Sequence, residues 1–291
     1  MLLNTYEPWK FAFSRDLSSL EEIQSNSWGI IGVPFDSTSS YHTGSRLGPI
    51  TVREASFGFE NYNFDFKKDL NTIFYDFGDL NVVSGNCIKT CEILEETILE
   101  LSNYKIKPLI IGGDHSISYG SIKGILNDFE DLTVVHLDAH RDLANELIGE
   151  KFSHGTVLRR VHELGINELI QIGIRSSSKE EEEFVLNNEN ITNFSSVDVK
   201  ENFGNILNKL AEINTPIYLS VDIDVLDPII APNVSNPTPS GISIKNIQDI
   251  LKNLNDKNII GFDLVETSSN NLGDITSINA SKIIYDFLTL F

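Results

Sequence analysis

Seven short apolar, β-branched runs alternate with stretches of helical spacing, and this alternation constrains the fold more than any other feature of the chain. The runs cover residues 29–34, 73–77, 109–111, 133–138, 169–174, 217–221 and 259–265. The helix-like stretches cover 88–101, 118–127, 156–164, 179–186, 203–212, 244–254 and 278–290. Strands that take turns with helices predict βαβ units and a largely parallel sheet. Runs that are apolar almost throughout predict strands buried on both faces, with helices on each side. No Pro/Gly/Ser-rich linker, internal repeat or low-complexity tract interrupts the 291 residues, so one domain over 1–291 is expected.

Three of these runs end in residues that carry chemistry. The run 133–137 stops at Asp138-Ala139-His140-Arg141-Asp142, with three potential ligands at one parity. On an extended chain end they would project to the same side. The run 217–221 stops at Asp222-Ile223-Asp224. Two such carboxylates repel one another unless a cation or water lies between them. The run 109–111 passes through Gly112 and Gly113 into Asp114 and His115, and the glycines allow a sharp turn that presents the imidazole. In an open parallel sheet, ligands gather beyond the carboxyl ends of the strands, where all three clusters fall. Asp227, before Pro228, reads as a turn residue, and His136 and His162 read as structural histidines.

This ligand set is rich in oxygen, has two imidazoles and no thiolate, and suits Mn²⁺ better than a structural zinc, with other divalent ions possible. Four carboxylates balance two divalent ions, and two ions lower the pKa of a shared water, so metal-assisted hydrolysis is the expected reaction class. A net charge of −20 argues against nucleic acid and is compatible with a small cationic substrate. No phosphate-cradling glycine loop of the Walker type appears. Residues 1–9 lack the long apolar core of a secretory signal, and no run approaches a membrane span of about 20 residues. Cys87 and Cys91 are the sole cysteines, and they read as buried or free thiols on one helix face in a reducing cytoplasm. The run 180–183 of four glutamates reads as a solvated helix start. Two non-periodic segments, 35–49 and 228–243, follow strand ends and should overhang the ligands.

Taken together, the segments IGGDHS (111–116), HLDAHRDL (136–143), SHGTVLRR (153–160), SVDIDVLDP (220–228) and GFDLVETS (261–268) resemble the ureohydrolase family of arginases and agmatinases. Residues 32–56 and 170–176 lean toward agmatinase, and the likeness runs from about residue 30 to about residue 270. The resemblance implies a three-layer α/β/α fold with a mostly parallel sheet of about eight strands. It implies two Mn²⁺ per chain, one on His115, Asp138, Asp142 and Asp222, the other on Asp138, His140, Asp222 and Asp224, with Asp138 and Asp222 bridging. A bridging hydroxide would attack the guanidinium carbon, oriented by Asp142; His154 would help protonate the leaving amine, and Glu266 would grip the guanidinium. A trimer or hexamer is also implied.

Two loops depart from the agmatinase pattern. Residues 233–243 read NVSNPTPSGIS where a sequence close to GTGTPEPGG is common, so Thr238 replaces an acid. Tyr41-His42-Thr43-Gly44 stands where Tyr-Arg-Pro-Gly is usual. The expected activity is therefore agmatine hydrolysis to putrescine and urea, with aminopropylagmatine, guanidinobutyrate, arginine or formiminoglutamate as alternative substrates. An anionic tail would need a cationic partner, for which His42, Arg46 and Arg175 are available. A non-catalytic metal-binding protein, a single-zinc deacetylase and a phosphoesterase are the remaining readings; a carboxylate at Glu266 disfavours the last by repelling phosphate.

Overall fold

The computed structural model describes residues 4–6, 9–17, 19 and 22–291, and the reading of residues 1–9 as lacking a signal falls partly outside them. The chain begins with β1 (Thr5–Tyr6), β2 (Trp28–Gly32), α1 (Gly48–Ser56), the ribbon strands β3 (Tyr62–Asn63) and β4 (Lys68–Asp69), and β5 (Phe74–Leu80). There follow α2 (Cys87–Asn103), β6 (Lys107–Ile111), α3 (Ser118–Ile125), β7 (Thr133–Leu137), α4 (Val157–Glu163), β8 (Glu168–Ile174), α5 (Lys179–Leu186) and β9 (Ile191–Ser195). The last elements are α6 (Ser196–Glu201), α7 (Phe203–Ala211), β10 (Ile217–Asp222), α8 (Ile244–Leu254), β11 (Ile259–Val265) and α9 (Ile275–Leu290).

Nine strands form the main sheet in the order β1-β5-β2-β6-β11-β10-β7-β8-β9. Eight are parallel, as expected; β1 adds a two-residue antiparallel edge against β5. Alternation along each strand sends side chains to two separate cores. On β7, Val135 and Leu137 join one core with Ile206 of α7, Ile247 of α8 and Phe287 of α9. Val134 joins the other with Leu94 of α2, Ile122 of α3 and Val157 of α4. The sheet is thus the middle of three layers. Among the described residues, no helix is long and apolar enough to cross a membrane.

The central strands β6, β11, β10 and β7 place their carboxyl ends side by side. The turn after β6 depends on Gly113: a Cβ there would come 1.7 Å from the Phe35 carbonyl oxygen. That contact is where the chain leaving β2 docks, since Asp114 N–H donates to the Phe35 carbonyl at 2.6 Å and Glu266 N–H donates to the Gly113 carbonyl at 2.8 Å. One glycine therefore brings the ends of β2, β6 and β11 together.

Candidate metal centre

The structure brings all six proposed ligands to this one rim. His115 opens a short 3₁₀ turn that Asp114 caps by accepting from Ser116 N–H at 3.2 Å. Its Nδ1 lies 3.1 Å from Asp138 Oδ2, 3.2 Å from Asp142 Oδ2 and 3.4 Å from Asp222 Oδ2. His140 Nδ1 lies 3.0 Å from Asp224 Oδ2 and 3.5 Å from Asp138 Oδ1. Asp138 thus turns one oxygen toward each imidazole. Asp222 faces the His115 half with Oδ2, while its Oδ1 accepts Asp224 N–H at 2.8 Å.

Simple strand parity does not build this cluster. Strand β7 ends at Leu137, the chain bends at Ala139, and His140 makes only an isolated bridge to Ser176. Asp142 sits in the left-handed region at φ 54, as does Glu266 at φ 66. Both are non-glycine residues in a conformation that costs on the order of 1–3 kcal/mol and recurs at functional sites. The surroundings hold the 138–143 segment. The Arg141 guanidinium donates to Glu182 at 2.7 and 3.0 Å, to Gln171 Oε1 and to Asn193 Oδ1. Leu143 N–H donates to Glu181 Oε1 at 3.0 Å. The glutamate run 180–183 does start α5, but Glu181 is buried and Glu182 is paired, because these two acids fasten the ligand loop instead of facing water.

Further contacts around the cluster were not legible in the sequence. His136 is the structural histidine expected, buried with a partner at each ring nitrogen, and it also bears on the site: its Nε2 lies 2.9 Å from Asp138 Oδ2 and its Nδ1 3.1 Å from Gln171 Nε2. His115 Nε2 lies 3.0 Å from Ser220 Oγ, which donates to Asp263 Oδ1 at 2.7 Å; Tyr218 hydroxyl donates to Asp263 Oδ2 at 2.7 Å. Because Ser220 commits its proton to Asp263, it accepts from His115 Nε2–H, and the lone pair of Nδ1 is left aimed at the carboxylates. Asp114 holds the rim from the other side by accepting Thr38 N–H and Oγ–H, each at 2.9 Å.

The electrostatics call for cations. Burial, then the charges of Asp224 and Asp138, push the Asp222 carboxyl well above its ordinary range. Burial opposes charge on His140, but Asp224 and Asp138 outweigh it and raise the ring to about 12. His115 is driven up in the same way by Asp138, Asp142 and Asp222. Yet His115 Nδ1 is buried with no hydrogen-bond partner. A buried imidazole nitrogen facing three carboxylates, with a second imidazole and a fourth carboxylate alongside, fits divalent metal better than protons, which would have to neutralise each group separately.

A cavity of about 660 Å³ opens over this rim. His154 and Glu266 line it. His154 Nε2 lies 3.2 Å from Ser40 Oγ, and its backbone N–H donates to Thr38 Oγ at 3.0 Å. Ser153, not His154, caps the turn that follows. Glu266 Oε1 accepts His115 N–H at 2.8 Å, while Oε2 is buried without a hydrogen-bond partner. Burial, then the nearby charge of Asp114, raises the Glu266 carboxyl to about 8.

His42, Arg46 and Arg175 do not line the cavity. Arg46 pairs with Asp36 at 2.6 Å. The His42 ring packs on Tyr41. Arg175 spends its guanidinium on backbone carbonyls, including Asp224 at 2.6 Å and Thr238 at 2.8 Å. It thereby fixes the departing loop so that Thr238 Oγ reaches His140 Nε2 at 3.2 Å. The charged residues that line the cavity above the cluster are Arg141, already paired with Glu182, and the acids Glu146, Glu180 and Glu181.

Comparison with known proteins gives one answer. The profile described as Arginase, arginase family, matches residues 26–289. The N(1)-aminopropylagmatine ureohydrolase of Thermococcus kodakarensis is 34% identical over 288 residues, covering 97% of this chain and 95% of the relative. The agmatinase of Bacillus cereus is 36% identical over 264 residues, covering 89% and 90%. The crystal structure of agmatine ureohydrolase from Thermoplasma volcanium superposes with a TM-score of 0.85 at 29% identity, covering 98% of this chain and 94% of that one.

Proposed function

Since this chain belongs to the arginase family and is a hydrolase of guanidino C–N bonds, we propose that it is a binuclear manganese ureohydrolase whose substrate is agmatine or an amine-extended agmatine. The observation that carries this reading is the pair of half-sites sharing Asp138, set beneath a cavity whose unpaired charges are acidic. We assign His115, Asp138, Asp142 and Asp222 to one ion and Asp138, His140, Asp222 and Asp224 to the other. When bound, the ions polarise water enough to make it a nucleophile near neutral pH.

The chain's own groups do the rest. Glu266 Oε2 offers an unshared oxygen to the planar guanidinium; burial holds the free carboxyl at about 8, and the arriving cation favours its ionised form, so that the pair holds the carbon over the cluster. Asp142 orients the attacking water through its carboxylate. His154, at the mouth beside Ser40, passes a proton to the amine as the C–N bond breaks, so that urea and a protonated amine leave. The Glu266→Gln enzyme keeps the shape and loses the charge. Its kcat/KM for urea release should fall roughly 10- to 100-fold, the worth of a charge-assisted hydrogen bond at about 1.5–3 kcal/mol. An unchanged value would remove Glu266 from this role.

The substrate tail is read from the rim. Glu146 and Glu180 stand exposed at the cavity wall, and Asn145 N–H holds Glu180 at 3.2 Å. A cationic tail is attracted there and a carboxylate tail is repelled. Urea release should therefore be screened over agmatine, aminopropylagmatine, guanidinobutyrate and arginine with added Mn²⁺. The two amine-tailed substrates should lead. The double change Glu146→Gln, Glu180→Gln should raise their KM about 3- to 10-fold at low salt and spare guanidinobutyrate. A preference for guanidinobutyrate or arginine would overturn the assignment of the tail and leave the chemistry standing. We further infer that the protein works in the cytoplasm as a homo-oligomer, consistent with its two free thiols and with the family.

A further inference from the structure

Beside the metal centre, and outside its machinery, lies a pair of thiols. Cys87 is the first residue of α2, and Cys91 follows one turn later; their Sγ atoms stand 3.9 Å apart. Positions four apart on a helix have Cα atoms about 6 Å apart, within the span of roughly 4.4–6.8 Å that a disulfide bridges. Cys91 is buried and held: its Sγ contacts the Ser116 carbonyl at 3.5 Å, and a Cβ on Gly120 of α3 would come 2.5 Å from the Cys91 carbonyl oxygen. Cys87 is half-buried and lines a second cavity of about 430 Å³. That cavity shares Thr38 and Ser153 with the wall that carries Asp114 and His154, and it shares Leu147 with the cavity over the cluster.

We propose that Cys87 and Cys91 form a redox-active dithiol site that exchanges with small disulfides and slows the hydrolase when oxidised. Cys87, in the side cavity, attacks one sulfur of a low-molecular-weight disulfide and expels one thiolate. Cys91 then attacks the Cys87 sulfur, loses its proton and expels the second moiety as thiolate. Two protein thiols are oxidised and one small disulfide is reduced to two thiols. The hydrogen bond from Cys91 holds the Cys87 thiol below its ordinary value, which suits the attacking thiol, whereas that contact and burial push Cys91 well above, so Cys91 reacts through its closeness to the Cys87 sulfur and not as a free nucleophile. To close from 3.9 Å to a bond of about 2.05 Å, the first turn of α2 must tighten toward Cys91. Cys91 bears on Ser116, the neighbour of His115, and the side cavity bears on Thr38, so the change reaches both walls of the site.

The test uses the manganese-loaded full chain with glutathione disulfide as probe. Free thiols should fall from two to none, intact mass should show the loss of two hydrogens, and urea release should drop at least 3-fold. Dithiothreitol should reverse all three. The Cys91→Ser protein should stop as a glutathione adduct on Cys87, and the Cys87→Ser protein should keep its activity and resist the oxidant. Three results would overturn the proposal: thiols that stay unreacted in the folded protein, an adduct on wild-type Cys87 that Cys91 never resolves, or a disulfide that leaves urea release unchanged. Thiol and mass readouts do not depend on substrate, so a failure of the ureohydrolase reading would be told apart from a failure of this one.

Discussion

The Asp138→Asn enzyme should lose at least about 10³-fold in urea release, or roughly 4 kcal/mol of transition-state stabilisation. Asp138 turns Oδ2 toward His115 and Oδ1 toward His140, so it is the one carboxylate seen to face both imidazoles of the cluster. An amide in its place presents a donor nitrogen to one half and removes a negative charge that the two proposed ions would share. Elemental analysis should show the metal content fall below that of the wild type, while circular dichroism stays the same. His136→Asn offers a graded companion, because it removes the 2.9 Å contact that aims Oδ2 and keeps the carboxylate itself. Activity of Asp138→Asn within tenfold of wild type would refute a shared-carboxylate centre.

The Arg53→Leu protein should be destabilised by about 3–5 kcal/mol, because breaking a buried ion pair strands its partners. Arg53 is fully buried in α1. It donates to Asp76 at 2.7 and 2.8 Å and to the Gly78 carbonyl at 3.0 Å, and it is also ion-paired with Asp79. Removal leaves two buried carboxylates at β5 with no cation. For a chain of this size the melting temperature should fall roughly 6–20 °C, at about 2–4 °C per kcal/mol. Changing Arg53, Asp76 and Asp79 together to apolar residues should recover much of that loss, since no charge is then stranded. A shift under 2 °C for the single change would mean that water reaches the site and solvates the acids.

The sequence disclosed those parts of the molecule whose signal is local. An apolar run that ends in Asp or His announces both a strand and its rim, and so β6, β7 and β10 were read together with their ligands. Strand β9, Ile-Thr-Asn-Phe-Ser, escaped because it lies at the sheet edge, half-buried, with only three apolar or β-branched residues in five. Helix α6 was hidden because six residues show too few turns for a period to emerge, and α1 because it opens on Gly48-Pro49, which reads as a turn. At the site, the six candidate ligands were legible as residue types, but the left-handed conformation of Asp142 was not, since the loop around it is held by Arg141 meeting Glu182 and by Leu143 N–H meeting Glu181, pairs far apart in the chain. The roles of Ser220 and Asp263 depend on β10 pairing with β11, which no single strand encodes.

Asp263, Ser220, His136 and Gln171 stand level with one another on β11, β10, β7 and β8, each opposite the next. Central parallel strands that are apolar on both faces have little else to tell one alignment from its neighbours. A slip of one residue at β10 would set Leu219 or Val221 between His136 and Asp263 and part the buried Ser220 hydroxyl from Asp263, at a cost of about 1–3 kcal/mol for each buried group left unpaired. The row beneath the metal centre therefore works as a key that admits a single alignment of the sheet. The residues that tune the chemistry are also the ones that make misassembly of the central strands unaffordable.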